Sequence, residues 1–267
     1  KPDVIHLHNL HGWFINRPML FSYIKKHDIP VVWTLHDCWS FTGQCTYYSM
    51  VGCDKWRNGC HNCPQIRRYP QSFFDCSSAM WNNKKKWFTG VKNMTIVTPS
   101  KWLGEQVKQS YLKDYPVQVI HNGIDLTVFK PNPEKSAAEK FTLLGVAYEW
   151  DARKGLDVFI ELAQRLPDQF RIVLVGTDDA VDAKLPSNII SIHRTQNQQE
   201  LADLYAQADL LVNPTREENY PTVNMEALAC GTPVLTFRTG GSPEILSAQS
   251  GLVVPKGDVD ALLAAAR

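Results

Sequence analysis

The sequence has almost no excess of either charge. Its 267 residues carry 28 Lys and Arg against 27 Asp and Glu, a formal net charge of +1. Nucleic-acid partners select a basic surface, so this balance gives no support for that class. Long apolar runs are missing too, and none approaches the roughly 18 residues of a membrane span. No signal-peptide pattern, internal repeat or low-complexity tract is visible. There is no Gly-x-Gly-x-x-Gly fingerprint for a dinucleotide and no phosphate-binding loop ending in Lys-Ser/Thr. Cysteine is nearly absent outside one region: six of seven lie between Cys38 and Cys76, and only Cys230 lies elsewhere. The chain starts at Lys1 without a Met and stops at Arg267 inside a helical pattern begun near Val259. It is expected to be truncated at both ends.

What is present is ordinary for a soluble globular protein: 44% hydrophobic and 21% charged residues. The length suits two modest domains or one large one. In the first half, strands are expected at Asp3 to His8, Pro30 to Leu35, Thr95 to Thr98 and Val117 to Ile120. Helices are expected around Pro18 to Lys26, Ser77 to Lys86, and from Pro99-Ser100 through Ser110. From about 38 to 78 the periodicity fails in favour of Cys, Gly, Pro, Asn and aromatics. That stretch reads as a long irregular insertion, which is uncommon unless functional or held by something. Residues 130–140 are polar, proline-bearing and unperiodic, and read as a linker. The expected domains are therefore 1–129 and 141–267.

In the second half, short apolar strands are expected at 141–146, 171–175, 189–192, 209–213, 233–237 and 251–254. They alternate with amphipathic helices at 155–166, 200–207 and 222–230. Gly231 stands where a helix end wants a left-handed residue. Such alternation means a mostly parallel sheet covered on both faces, an α/β fold of doubly wound type.

Ligands of such sheets sit outside the carboxyl ends of the strands. Four places there carry chemistry. The first is Glu218-Asn219-Tyr220-Pro221-Thr222-Val223-Asn224-Met225-Glu226, after the strand at 209–213. A helix start favours an anion such as a diphosphate, and a carboxylate beside it can accept from sugar hydroxyls. Two acids near a helix start are otherwise common stabilising charges. The second is Arg153-Lys154-Gly155. Cations at a helix start oppose the dipole unless they neutralise a bound diphosphate; the plain alternative is a solvated basic turn. The third is Thr239-Gly240-Gly241, where glycines allow close backbone approach or merely a turn. The fourth is in the first half, where His8, His36 and Asp37 follow strands.

Two glutamates separated by seven residues, followed by Ala-Leu-Ala-Cys-Gly-Thr-Pro-Val, resemble the signature of retaining GT-B glycosyltransferases of family 4. The resemblance runs from about residue 3 to the end and is strongest over 209–254. It implies two Rossmann-like domains facing a cleft, the N-terminal one incomplete. It also implies a hexose moved from a nucleotide-diphosphate sugar, such as a UDP- or GDP-sugar, to a glycan or lipid-linked acceptor. By the resemblance Glu218 contacts the donor hexose, Glu226 the ribose, and Arg153 and Lys154 the diphosphate. His36, in Thr-Leu-His-Asp, faces the transferred sugar. Asn219, Tyr220, Thr222, Val223, Gly240, Gly241 and Arg194 join the donor site, as do Asn122 and Gly123 of the crossover His-Asn-Gly-Ile-Asp. The family's Gly-Phe-Gly after the first glutamate is here Asn219-Tyr220-Pro221, and its second Arg is replaced at that position by Glu149. The Cys-rich pattern is similar to enzymes of bacterial capsule, exopolysaccharide or lipopolysaccharide assembly.

Cys45-x7-Cys53-x6-Cys60-x2-Cys63 could give four thiolates to a structural zinc, although only the last pair has standard spacing. Cys38, Cys76 and His61 compete as ligands, and free thiols are the alternative. No cofactor is required for catalysis. The basic and aromatic run Lys84-Lys85-Lys86-Trp87-Phe88 reads first as a solvated helix face over core aromatics. The sharper reading is a peripheral contact with an anionic membrane, placing a cytoplasmic enzyme at the inner face of that membrane. The rival class is a non-catalytic nucleotide-sugar-binding or zinc-stabilised scaffold module. Within enzymes, a nucleotide-sugar epimerase or a phosphorylase shares the architecture.

Overall fold

The computed structural model describes residues 1–12, 14–68, 70–132 and 139–267. Most of the expected linker over 130–140 lies outside the described residues. The chain forms two compact units, Lys1–His121 and Asn122–Arg267. The division falls earlier than the expected boundary at 129. The cause is packing: Ile124, Val128 and Phe129 insert into a core of the second unit beside Tyr205 and Ala227.

The first unit is a four-stranded parallel sheet in the order β1-β2-β3-β4. Its strands are β1 (Ile5–Leu7), β2 (Val31–Thr34), β3 (Met94–Thr98) and β4 (Val117–Val119). Helix α1 (Arg17–His27) starts where the Asn16 side chain accepts from Met19 N at 3.1 Å, and it stops at Asp28, whose φ of 49° is left-handed. Helix α2 (Ser77–Phe88) follows the insertion. Helix α3 (Lys101–Lys108) is capped by Ser100 Oγ, which accepts from Leu103 N at 3.1 Å. The expected strand at 3–8 is shorter than its apolar run, because only Ile5–Leu7 pairs with β2.

The second unit is a six-stranded, all-parallel sheet in the order β10-β9-β8-β5-β6-β7. The strands are β5 (Phe141–Val146), β6 (Phe170–Val175), β7 (Ile189–Ile192), β8 (Leu210–Asn213), β9 (Val234–Phe237) and β10 (Gly251–Val254). The main helices are α4 (Leu156–Arg165), α6 (Gln198–Gln207), α7 (Thr222–Ala229) and α9 (Val259–Ala266). Two short helices, α5 (Asp179–Asp182) and α8 (Ser242–Ile245), carry too few residues to show a helical period in the sequence. One core, with Phe159, Leu162 and Leu263, covers one face; a second, with Tyr205, Ala206 and Ala227, covers the other.

Candidate donor site and its relatives

The order of the second sheet says which strand ends matter. The chain lays β5, β6 and β7 side by side and then returns to place β8 on the other flank of β5. At such a reversal the loops beyond the two strands part and leave a crevice, where open parallel sheets bind ligands. Lys154 comes from the loop after β5, and Glu218 from the loop after β8. They meet there: Lys154 Nζ donates to Glu218 Oε2 at 2.8 Å, with both side chains mostly shielded from solvent. The second oxygen, Oε1, accepts from Asn219 N at 3.1 Å.

The backbone enforces that meeting. Gly155 has φ +80°, and a Cβ there would stand 2.6 Å from Pro214 O, so glycine lets the two loops touch. Arg216 N donates to Arg153 O at 2.8 Å, and the Arg216 guanidinium grips both carboxylate oxygens of Asp157 at 2.7 Å. The loop after β9 closes on Glu218 from its far side. Gly240 has φ +52°, and a Cβ would fall 1.8 Å from Glu218 O; Gly241 N donates to Asn219 O at 2.7 Å. Three of the expected segments are thus one assembly.

Glu226 lies on α7 and is half-buried. Its Oε2 accepts from Tyr205 Oη at 2.9 Å, and Thr222 also donates to the carboxylate. Burial pushes its pKa up, and the two donors oppose that rise. Asn213 Nδ2 donates to Asn224 Oδ1 at 2.8 Å, tying the end of β8 to α7. Three buried polar atoms at these loops have no hydrogen-bond partner: Asn224 Nδ2, Thr239 Oγ1 and Ser242 Oγ. Pro221 caps α7 without a side-chain bond. Thr222 is exposed, and Val223 and Tyr220 are half-buried. Burial, then Glu244, raises the Tyr220 pKa.

Other expected residues are less engaged. The half-exposed Arg153 places Nε 4.0 Å from Asp151 Oδ2. Arg194 is exposed after β7, next to His193, whose Nε2 bonds Asp182 Oδ2 at 2.8 Å. That bond to Asp182 raises the His193 pKa. Asn122 and Gly123 open the second unit, in the irregular stretch before Phe129. Tyr205, Arg216 and Asp157 were not foreseen. Each acts through a contact made far along the chain, and Tyr205 reads in the sequence only as part of an apolar helix face. Cavities of about 630 and 700 Å³ open at the opposite, amino-terminal edges of the two sheets, beside Asn93 and Lys140 respectively. Size alone would therefore miss the crevice.

In the first unit, histidines gather at the carboxyl ends of β1 and β2. His8 Nδ1 and His36 Nε2 are hydrogen-bonded at 3.0 Å with stacked rings, and His6 Nε2 bonds Thr34 Oγ1 at 2.9 Å. His11 Nε2 lies 3.3 Å from Asp37 Oδ2. Burial, then the neighbouring His8, lowers the His36 pKa; Asp37 opposes them.

The insertion is irregular apart from single turns at Trp39–Phe41 and Lys55–Arg57. Trp56 anchors it, fully buried against Phe41 and Tyr48, with its carbonyl accepting from Trp81 Nε1 at 2.8 Å. Cys45, Cys53, Cys60 and Cys63 line one small cavity beside Trp56. Gly43 N donates to Cys60 Sγ at 3.1 Å. Burial pushes the thiols up, Cys45 to about 12 and Cys60 to about 11. The donor chemistry suits zinc, but among the described residues no group of three or more His, Cys, Asp or Glu is arranged to hold a metal ion. Lys84 departs from the solvated face expected of it. It is fully buried, donates to Trp39 O at 2.6 Å, lies 3.8 Å from that ring's centre, and burial pushes its pKa down to about 7.

Two family models match: Glycosyltransferase Family 4 over residues 1–128, and Glycosyl transferases group 1 over residues 139–267. The chain is 26% identical, over 97% of its length, to WcaC of Escherichia coli (strain K12), named for glycosyl transfer in colanic acid biosynthesis. It spans 65% of that protein. In fold it is similar to the sucrose-phosphate synthase of Thermosynechococcus elongatus: TM-score 0.70, 22% identity, covering 98% of this chain and 63% of that one. It is also similar to Anabaena HepE, solved in complex with UDP: TM-score 0.66, 16% identity, covering 99% of this chain and 68% of that one. Two parallel α/β units with these neighbours are the GT-B fold. With both halves matched by family models, the protein belongs to the family 4 glycosyltransferases.

Proposed function

We propose that the second unit binds a nucleotide-diphosphate sugar and that the whole enzyme transfers its hexose, with retention, to a growing cell-surface glycan or lipid-linked acceptor. The observation that carries this reading is the Lys154–Glu218 pair at the switch point of the sheet. As the bond from sugar C1 to the phosphate oxygen breaks, its electron pair leaves with the diphosphate; the acceptor hydroxyl oxygen forms the new bond to C1, and its proton passes to the departing diphosphate. Lys154, Arg153 and the amino end of α7 stabilise that charge, and no metal is assigned a role. A diphosphate draws Lys154 away from Glu218, which frees that carboxylate to accept from hexose hydroxyls. Glu226 accepts from the ribose. The unpartnered atoms Asn224 Nδ2, Thr239 Oγ1 and Ser242 Oγ supply polarity around the same loops. UDP is the first nucleotide to try, because HepE was solved with UDP and with UDP-glucose; GDP is the second.

Calorimetric titration with UDP, GDP and ADP tests the reading. One of the first two should bind, and Lys154→Met should weaken it by roughly tenfold or more, the worth of one charge-assisted contact. Equal binding by Lys154→Met would remove the basis of the assignment. No helix among the described residues is long and apolar enough to cross a membrane. A peripheral position at the inner face of the cytoplasmic membrane completes the proposal.

A further inference from the structure

The donor site leaves one surface of the first unit without a role. Helices α1 and α2 lie against each other, with the Phe21 and Phe88 rings packed at 4.7 Å inside and Lys25 Nζ donating to Lys86 O at 3.1 Å. No Asp or Glu occurs from Asn9 to His27, or from Cys76 to Gly104. The first acid after α1, Asp28, lies 3.8 Å from Lys92. Met19, Ser22, Tyr23 and Lys26 share the exposed stripe of α1, at the spacing that puts residues on one helical face. Lys25, Lys85 and Lys86 are exposed beside them. The apolar members are unusually open: Phe14 is 72% exposed, Met19 69% and Tyr23 42%. An open groove of about 420 Å³, lined by Phe14, Ile15, Asn16, Arg17, Pro18 and Trp87, runs at the start of α1.

We propose that this face rests on an anionic lipid bilayer. Lysines with aromatic and methionine tips, and no acid among them, match a surface that is negative at the headgroups and apolar just beneath. The whole chain is near neutral, so the asymmetry belongs to this face and not to composition. Of the triple lysine only Lys85 and Lys86 serve it, since Lys84 is turned into the core. The inference deepens the lipid-linked acceptor reading, yet lipid binding itself needs no sugar transfer.

Co-sedimentation of the whole chain with vesicles tests it. The vesicles are phosphatidylcholine alone, or phosphatidylcholine with about a third phosphatidylglycerol. Binding is expected only to the anionic vesicles and should weaken with salt. Replacing Lys25, Lys26, Lys85 and Lys86 together by Glu should reduce it by on the order of a hundredfold or more. Phe14→Ser with Met19→Ser should reduce it with the charges intact. If the quadruple variant misfolds, judged by circular dichroism and melting, Lys26→Gln with Lys85→Gln carries the test and should lose roughly tenfold or more. No binding, equal binding to both vesicles, or undiminished binding by the variants would overturn the proposal. Nucleotide titration of the same variants should match the unaltered chain. A chain that binds vesicles but no nucleotide would refute the donor reading and leave this one standing.

Discussion

Replacing Glu226 by Gln should separate donor binding from stability. The amide keeps the shape and can still accept from Tyr205 Oη, which now donates to the carboxylate at 2.9 Å. What disappears is a half-buried negative charge. A hydrogen bond to a charged group is worth roughly 1.5–3 kcal/mol and a neutral one about 0.5–1.5. Two ribose hydroxyls meeting an amide instead of a carboxylate should therefore cost about 2 kcal/mol, or about thirtyfold in Kd. The fold should not share that loss. Burial holds the Glu226 pKa above its ordinary value, so the folded state takes up a proton more readily than the unfolded chain. Its ionisation thus costs stability above the folded pKa, and that cost is relieved as pH falls through it. The amide removes the cost, so at neutral pH the variant should melt no lower than the parent. For the parent, donor affinity should fall as pH drops through the raised pKa, and the variant should lack that dependence. Calorimetry with the bound nucleotide and thermal melts at several pH values read both. Unchanged affinity together with a lowered melting temperature would show Glu226 to be a structural acid and refute the reasoning.

Gly240→Ala should cost roughly 3 kcal/mol or more and weaken nucleotide binding, because its Cβ would fall 1.8 Å from Glu218 O at φ +52°; a parental melting curve would contradict the packing. Lys84→Met should alter the pH dependence of unfolding. With the folded pKa pushed down to about 7, the parent gains stability as pH rises from there toward the ordinary lysine value, because only the unfolded chain stays protonated. The methionine variant should lose that slope, and a parental slope would contradict the burial. The four cysteines line one cavity without an arrangement for a metal ion among the described residues, and burial raises the Cys45 and Cys60 thiols. Slow alkylation of these thiols is therefore expected, with no stoichiometric zinc on metal analysis; about one ion per chain, lost in Cys60→Ser, would contradict that packing.

The second sheet was legible because parallel strands buried on both faces read as apolar runs. Its helix ends carry their own marks, such as Gly231 with φ +84° after α7. Position 84 was legible in principle: Trp81, Lys84 and Phe88 are spaced to share one helical face, and all three are buried. Charge composition hid that spacing. The Lys154–Glu218 pairing was a different kind of problem. Lys154 and Glu218 are 64 residues apart, and Tyr205 and Glu226 are 21 apart on different helices. No local period connects them. A family resemblance could name Glu218 and Lys154 separately, but only the reversal of strand order between β7 and β8 puts β8 beside β5 and brings the two side chains to 2.8 Å. That contact turns the basic turn at a helix start from a local conflict into a partner. Lys154 opposes the dipole of α4, and the carboxylate it meets compensates for that.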